Sequence, residues 1–415
     1  MRKGGLVVSI AGLWVGFGPV CAVRGQGAWE VTSASEEAVR RGLAWLARSQ
    51  GPEGNWGSND LGLVALGALA FLSAGHLPDE GPYGKNVRLA LDYMASKVRP
   101  SGLLNESNER RDMYNHGLAT FVLTQAYGMS GDERIGRMAE RGIELICETQ
   151  CRDGSWDYVA RRQERGHDLS ICVMQAIALR GAMDAGIEVP PQTVRDALAA
   201  VRRYYRPRGQ PDGLGREFAG QHADALRPGQ FTYRGTGETV AMAAAGVVCL
   251  QEFGEYGDFR IFRSMQVVTR AIRERSGHRG GDRGQANQPV FDAYTLYYVS
   301  QALYQVGGED WRAHYPLLRD GIVRSQRRSR NEAEDGSWDD NTRVGGLAGR
   351  LFGTSAAVFA LSIPNRYLPI LQQASHDGNV EAIRLGGAER AGAGGAGSAA
   401  GAGAAGDGAS AEGDR

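Results

Sequence analysis

The stretch Gln150-Cys151-Arg152-Asp153-Gly154-Ser155-Trp156 decides the fold, because the chain carries its pattern three times. The other copies are Gln50-Gly51-Pro52-Glu53-Gly54-Asn55-Trp56 and the run from Gln326 to Asp335-Gly336-Ser337-Trp338. Each follows an amphipathic segment and precedes a strongly apolar one. A single helical unit cannot bury its own apolar face, so tandem copies stack into a solenoid or close into a ring.

Working outward, apolar periodicity divides the chain into helix pairs of roughly 50 residues. First helices are amphipathic: between Glu36 and Ser49, Val39, Leu43 and Leu46 share one face while Glu37, Arg40, Arg41 and Arg48 lie elsewhere. Similar segments begin near Lys85, Arg134, Gln192, Phe259 and Trp311. Second helices are apolar nearly all round: Leu61 to Leu72, Gly117 to Tyr127, Leu169 to Met183, Thr239 to Leu250, Ala293 to Tyr304 and Thr354 to Ser362. A helix apolar on every side is buried on every side. Six of them alternating with six amphipathic ones predict an inner ring wrapped by an outer ring, all-α, over residues 36–385. The long fourth and fifth joints are read as flaps over one mouth.

The repeated signature reads as structural. A turn Trp packs its indole across the gap between hairpins, with its N–H on a carbonyl. A Gln ending the outer helix satisfies orphan backbone groups at the joint. Gln50, Trp56, Gln150, Trp156, Gln326 and Trp338 are therefore staples rather than catalysts.

Lys plus Arg equal Asp plus Glu at 47 each, so no global field draws the chain to nucleic acid or to an acidic membrane. Residues 1–22 have the layout of a secretory signal: Met1-Arg2-Lys3, an apolar stretch through Leu13-Trp14-Val15, then Val20-Cys21-Ala22 as a small-residue cleavage site. An uncleaved anchor is the alternative; export, periplasmic or extracellular, is the reading taken. No later apolar run reaches the roughly 18 residues of a membrane span. The spacing of Cys147, Cys151, Cys172 and Cys249 matches no zinc ribbon or redox pair, and leaves buried thiols or one bridge from Cys151 both open. Residues 386–415 are Gly, Ala and Ser with scattered charges, and read as a disordered tail.

The Gln…Gly-Ser-Trp turns and the hairpin count resemble the terpenoid cyclase and protein prenyltransferase superfamily. The likeness to exported bacterial members with prenyltransferase/squalene-oxidase repeats is carried by Met113-Tyr114-Asn115-His116-Gly117, Ala185 to Pro190 and Tyr367-Leu368-Pro369-Ile370. That resemblance implies an α/α toroid with a central, largely apolar cavity. It also supplies three catalytic patterns to look for. The zinc site of protein prenyltransferases would need a thiolate where Tyr294 stands and an imidazole where Gly353 stands; Asp292 alone cannot hold tetrahedral zinc. The Asp-x-Asp-Asp acid of class II cyclases has no counterpart, and Asp168 beside His167 would be a poor proton donor to an alkene. No cysteine has the Gly-Cys-Gly-Glu-Gln context of a thioester. No metal or cofactor is expected.

Parallel inner helices would gather their N-termini at one mouth, where partial positive charge and free N–H groups favour anions and acceptors. The residues at those starts are Asp60, His116, Asp168, Glu238, Asp292 and Thr354, with Tyr114, His167, Thr236 and Tyr294 beside them. Capping alone accounts for Asp60, Asp168 and Thr354; His116 is the harder residue to explain so simply. His278 and Asp282 read as part of a solvated Gly/Arg-rich flap. Three functions are expected in order. The first is a toroid binding an isoprenoid or other apolar small molecule in its cavity, lined by Phe121, Tyr127, Tyr297, Tyr298 and Tyr304 and contacted by Tyr114, Asp60, Glu238, Tyr294 and Thr354. The second is a terpene cyclase-like enzyme with Asp168, His116 and Asp292 as acid or base. The third is a scaffold for proteins or polysaccharide.

Overall fold

The computed structural model describes residues 29–58, 60–220, 222–277, 289–340 and 349–372. The expected signal segment, the Gly/Ala-rich tail and the His278–Asp282 flap lie outside the described residues. Outer helices are α1 (Ser33–Ser49), α3 (Gly84–Ser96), α5 (Glu133–Thr149), α7 (Pro191–Arg202), α9 (Phe259–Gly277) and α11 (Gly308–Ser325). Inner helices are α2 (Leu61–Ser73), α4 (Asp112–Ser130), α6 (Leu169–Asp184), α8 (Val240–Glu252), α10 (Ala293–Val306) and α12 (Gly349–Ser362). Each inner helix packs on the next, and α12 packs back on α2, so the inner wall is closed. Outer helix α1 packs on α11 and α12, which closes the outer layer at the same seam.

The three Gln…Gly-x-Trp turns make one set of bonds three times. Trp56, Trp156 and Trp338 donate from Nε1 to the carbonyls of Leu46, Ile146 and Ile322, each at 2.8 Å. Gln50, Gln150 and Gln326 donate from Nε2 to the turn carbonyls of Gly54, Gly154 and Gly336. The same amides reach outward to Asn86, Thr193 and Ala38, on the neighbouring outer helices α3, α7 and α1. Gly336, at φ 88°, lets the carbonyl of Arg41 approach to 2.5 Å from where a Cβ would stand. The third turn therefore locks onto the first outer helix and makes the seam. Arg41 to Asp335 at 2.5 Å and Trp45 Nε1 to the Ala333 carbonyl at 2.9 Å complete it.

Helix α4 begins at Asp112, five residues before the expected Gly117. The extra turn holds polar side chains that look like loop but are tied inside. Asn105 donates to Asp112 Oδ1 at 2.7 Å, and Asn115 donates to Asn105 Oδ1 at 2.8 Å. Buried polar groups bonded in this way cost little, so the helix continues through them. In the fourth joint two short strands, β1 (Tyr205–Pro207) and β2 (Gly229–Phe231), pair antiparallel with Tyr205 opposite Phe231. At the far end of the barrel the short α13 (Pro369–Gln372) packs on α4 and α6. There Ile370 N–H donates to Gln125, and Tyr304 donates to the Leu371 carbonyl.

Side chains meet across the barrel axis. Tyr298 of α10 reaches Met174 Sδ of α6 at 3.5 Å, although α8 separates the two helices in the ring. Tyr298 also packs edge-on against Tyr294 and Tyr297, at centroid distances of 5.0 and 5.3 Å. Tyr297, Tyr298 and Tyr304 are fully buried. Phe121 packs at the α4–α6 contact, beside Gly181. Tyr127, expected to line the cavity, turns outward against Gly136 of α5. The described cysteines Cys147, Cys151, Cys172 and Cys249 are all free thiols.

Candidate functional site

The inner-helix starts share one rim. Arg111 before α4 pairs with Asp60 before α2 at 2.6 Å, and Tyr114 of α4 hydrogen-bonds Ser170 of α6. Leu169 N–H donates to the Tyr233 carbonyl ahead of α8. Tyr294, on the opposite stave α10, is near enough to Tyr114 of α4 to help hold its phenol above the ordinary range.

Asp168 is the centre of this rim and is fully buried. As N-cap of α6 it accepts from the N–H groups of Ser170 at 2.9 Å and Ile171 at 3.4 Å. Its oxygens also accept from Ser170 Oγ at 2.5 Å, Tyr158 OH at 2.5 Å and His167 Nδ1 at 2.6 Å. Each partner is placed to donate, which is a surrounding suited to a carboxylate. The positive end of α6 adds to that preference.

The backbone around His167 is fixed by the Trp156 turn. His167 N–H donates to the Trp156 carbonyl at 2.9 Å. Gly166 is required here, since a Cβ would lie 2.2 Å from Ser155 Oγ and 2.5 Å from that carbonyl. His167 Nδ1 faces the carboxylate, so it carries the hydrogen. Its Nε2 faces Arg234 Nη1 at 3.5 Å, and a guanidinium only donates. The neutral form compatible with these partners is the Nδ1–H tautomer, with Nε2 turned to the partly open rim.

Tyr158 stands between two rings: Tyr114 at 5.6 Å, stacked, and His167 at 4.0 Å. Its hydroxyl also meets that of Tyr233. A continuous hydrogen-bonded chain thus runs Tyr114–Ser170–Asp168–Tyr158–Tyr233, with His167 as a branch. Burial pushes the Tyr114, Tyr158 and Tyr233 phenols above their ordinary range; Tyr294 raises Tyr114 further and Asp168 raises all three. All three remain neutral donors at pH 7. Tyr294, pushed up mainly by burial, interacts with Ser170 and Tyr298 beneath the chain.

The remaining expected residues divide. Asp60 stays at the rim, its carboxyl pushed up by burial against the opposing effect of Arg111. Asp292 caps α10, accepting from Thr295 N–H at 2.9 Å and Thr295 Oγ1 at 2.8 Å. Glu238 is not a helix start: Thr239 caps α8, and Glu238 pairs with Arg208. Thr354 lies inside α12, where its Oγ1 accepts from Trp338 N–H at 3.1 Å. His116 is also inside its helix and wholly buried. Leu104 N–H donates to its Nδ1 at 3.1 Å, and its Nε2 binds the Gly142 carbonyl at 2.9 Å. Burial lowers its pKa to about 4, so it is a neutral tie between α4, α5 and the 103–105 turn. Tyr158, Ser170, Tyr233 and Arg234 were not among the residues expected from sequence. They sit in loops or one turn into a helix, and only their nearness to His167-Asp168 in space connects them.

Among the described residues, no group of three His, Cys, Asp or Glu side chains is placed to hold a metal. No described helix is long and apolar enough to cross a membrane.

No protein-family model and no curated protein matches the chain. Solved structures do. Cellobiose 2-epimerase from Bacillus thermoamylovorans is similar with a TM-score of 0.53 at 11% identity, over 80% of this chain and 98% of that one. A type II terpene cyclase from Scytonema, in complex with geranylgeranyl dihydroxybenzoate, gives 0.51 at 13% identity over 81% and 98%. An α-1,6-mannanase from Salegentibacter, in complex with α-1,6-mannotriose, gives 0.50 at 9% identity over 80% and 99%. These similarities extend over one fold and several chemistries, so they do not single out the terpenoid cyclases. The chain is an all-α, α/α toroid, a fold it has in common with enzymes of different reaction classes.

Proposed function

We propose that the protein is a toroid enzyme whose site is the N-terminal mouth, and that it transfers a proton on a small hydroxylated substrate of the sugar type. The observation that carries this reading is the Asp168–His167 pair at 2.6 Å, with Nε2 facing the partly open rim. In such a pair the carboxylate orients the imidazole and stabilises the imidazolium formed when Nε2 takes a proton. Tyr114 and Tyr233, partly exposed at the rim, supply aromatic surface for a sugar, and their phenol oxygens supply acceptors for its hydroxyls. The epimerase and the mannotriose-bound mannanase of the same fold are consistent with such a ligand. Asp168 is a positioning residue here rather than the acid of a cyclase, because all of its hydrogen bonds are accepted.

Saturation-transfer NMR against a panel of mono- and oligosaccharides tests the site, followed by turnover assays on whatever binds. Wild type should bind and turn over a sugar; His167→Gln should bind it and lose turnover by about a hundredfold or more. Turnover unchanged in His167→Gln would remove the proposed base.

An isoprenoid or other apolar ligand, with membership of the terpenoid cyclase superfamily, is the second reading, favoured by the Gln…Gly-x-Trp turns. It needs room along an axis where Tyr298 already meets Met174. Lipid retained in native mass spectrometry, with no sugar bound, would establish it over the first. Export belongs to the proposal too, and a mature N-terminus near residue 22 is its check.

A further inference from the structure

The reading of the mouth as a ligand site underlies a second inference, about what the ligand carries. Residues 159–166 form a loop whose feet, Tyr158 and His167, meet ring to ring at 4.0 Å. The segment between them is a compact loop tied to the start of α4, where Ala160 N–H donates to Asp112 Oδ2 at 3.2 Å. Its crest carries Arg161, Arg162 and Arg165, all exposed. An open cleft of about 700 Å³ on this loop is lined by Arg152, Arg161, Arg162, Gln163 and Glu164.

The acids nearby are mostly committed. Glu164 pairs with Arg152 at 3.0 Å, and Asp153 pairs with Arg203 at 3.3 Å. Asp157, the remaining acid of the loop, accepts from Val159 N–H at 3.3 Å. Among the described residues, no carboxylate lies within ion-pair distance of Arg161, Arg162, Arg165 or Arg234. Arg234 instead points at His167 Nε2. Three exposed guanidinium groups without a carboxylate on the loop that joins Tyr158 to His167, and Arg234 against His167 itself, are open to an external anion.

We infer that the crest arginines and Arg234 recruit an oxyanion carried by the substrate: a carboxylate, sulfate ester or phosphate ester on the hydroxylated ligand. The planar guanidinium fork matches such groups with two parallel hydrogen bonds. An anion that engages Arg234 also draws its guanidinium from Nε2 and exposes the lone pair of His167, which couples recognition to the base.

The test is calorimetric titration of the full chain at low ionic strength with glucose, glucuronate, glucose 6-sulfate, glucose 6-phosphate and inorganic phosphate. Wild type should bind at least one anionic sugar about tenfold or more tightly than glucose, and the double variant Arg161→Gln/Arg162→Gln should lose about that factor. Arg234→Gln should weaken the same ligand, and added salt should weaken it in wild type more than in the double variant. The three anionic sugars separate carboxylate, sulfate and phosphate. Equal affinity for glucose and every anionic sugar, unchanged affinity in the double variant, or no anion binding at all would overturn the inference. Neutral sugar bound and turned over through His167 with no anion preference would overturn it while leaving the proposed chemistry intact. Anion binding lost in the arginine variants, with no turnover in any sugar, would support it while removing that chemistry.

Discussion

Asp168 shows how much one side chain can organise. Five donors converge on it, and the carboxylate cannot be replaced by an amide without turning one N–H₂ against another donor. Asp168→Asn is expected to lower stability by about 3 kcal/mol, read from urea unfolding, and to release the ring of His167. His116 carries a separate pH signature. Its pKa is depressed in the folded chain to about 4 against an ordinary 6.5, so the native state favours the neutral ring. The resulting stability is fully present above pH 6.5 and is lost as pH falls toward 4, amounting to roughly 3 kcal/mol. Urea midpoints measured from pH 7 to pH 4 should fall more steeply in wild type than in His116→Gln. At this scale the sequence showed Asp168 as a helix start, with His167 and Tyr114 among the residues beside the helix starts. It did not show Tyr158 or Tyr233, because loop residues have no periodicity to mark which way they face. His116 was legible as unusual, but only its two backbone partners reveal it as a structural tie.

Elements were more legible than residues, for physical reasons. A helix apolar all round has one place to go, and α2, α6, α8 and α10 begin within a residue of the expected starts. The start of α4 was hidden because Asp112 and Asn115 are polar in sequence yet bonded inside the protein. The short hairpin of β1 and β2 was also unread, since three-residue strands carry almost no pattern. The Gln…Gly-x-Trp turn was readable because its composition demands a fixed geometry: a Gly with room for a carbonyl, an indole N–H and an amide. Gly336→Ala would place a Cβ 2.5 Å from the Arg41 carbonyl at a left-handed φ. It should cost roughly 1–3 kcal/mol and raise hydrogen exchange in α1 before the other outer helices. At the opposite end of the barrel, burial pushes the Glu252 carboxyl on α8 up to about 8, against the opposing effect of Arg180. Its folded pKa lies above the ordinary 4.5, so its contribution is present below that pH and is lost as pH rises toward 8. Glu252→Gln should therefore gain in melting temperature over wild type between pH 5 and about 9; a constant difference across that range would contradict the assignment.

For the molecule as a whole, closure is what gives the site its meaning. Six parallel inner helices put Asp60, Tyr114, Asp168 and Tyr294 at one rim only if the last repeat returns to the first. Two covered layers then leave the axis to aromatic side chains and the proposed chemistry to the mouth. Repeat count and apolar content made the ring readable in advance, but they could not say whether its axis held a ligand or side chains. That depended on how far Tyr298 and Met174 reach across it, which is a matter of geometry rather than composition. The seam is the place to test all of this, because Arg41 and Asp335 meet there across 294 positions of chain. Arg41→Cys and Asp335→Cys, treated with a short bifunctional maleimide in the native state, should give an internally bridged single chain. The bridge should appear as faster migration on a denaturing gel and as a raised melting temperature. Bridges only between chains, or none, would mean an open superhelix and would contradict the closed ring on which the mouth depends.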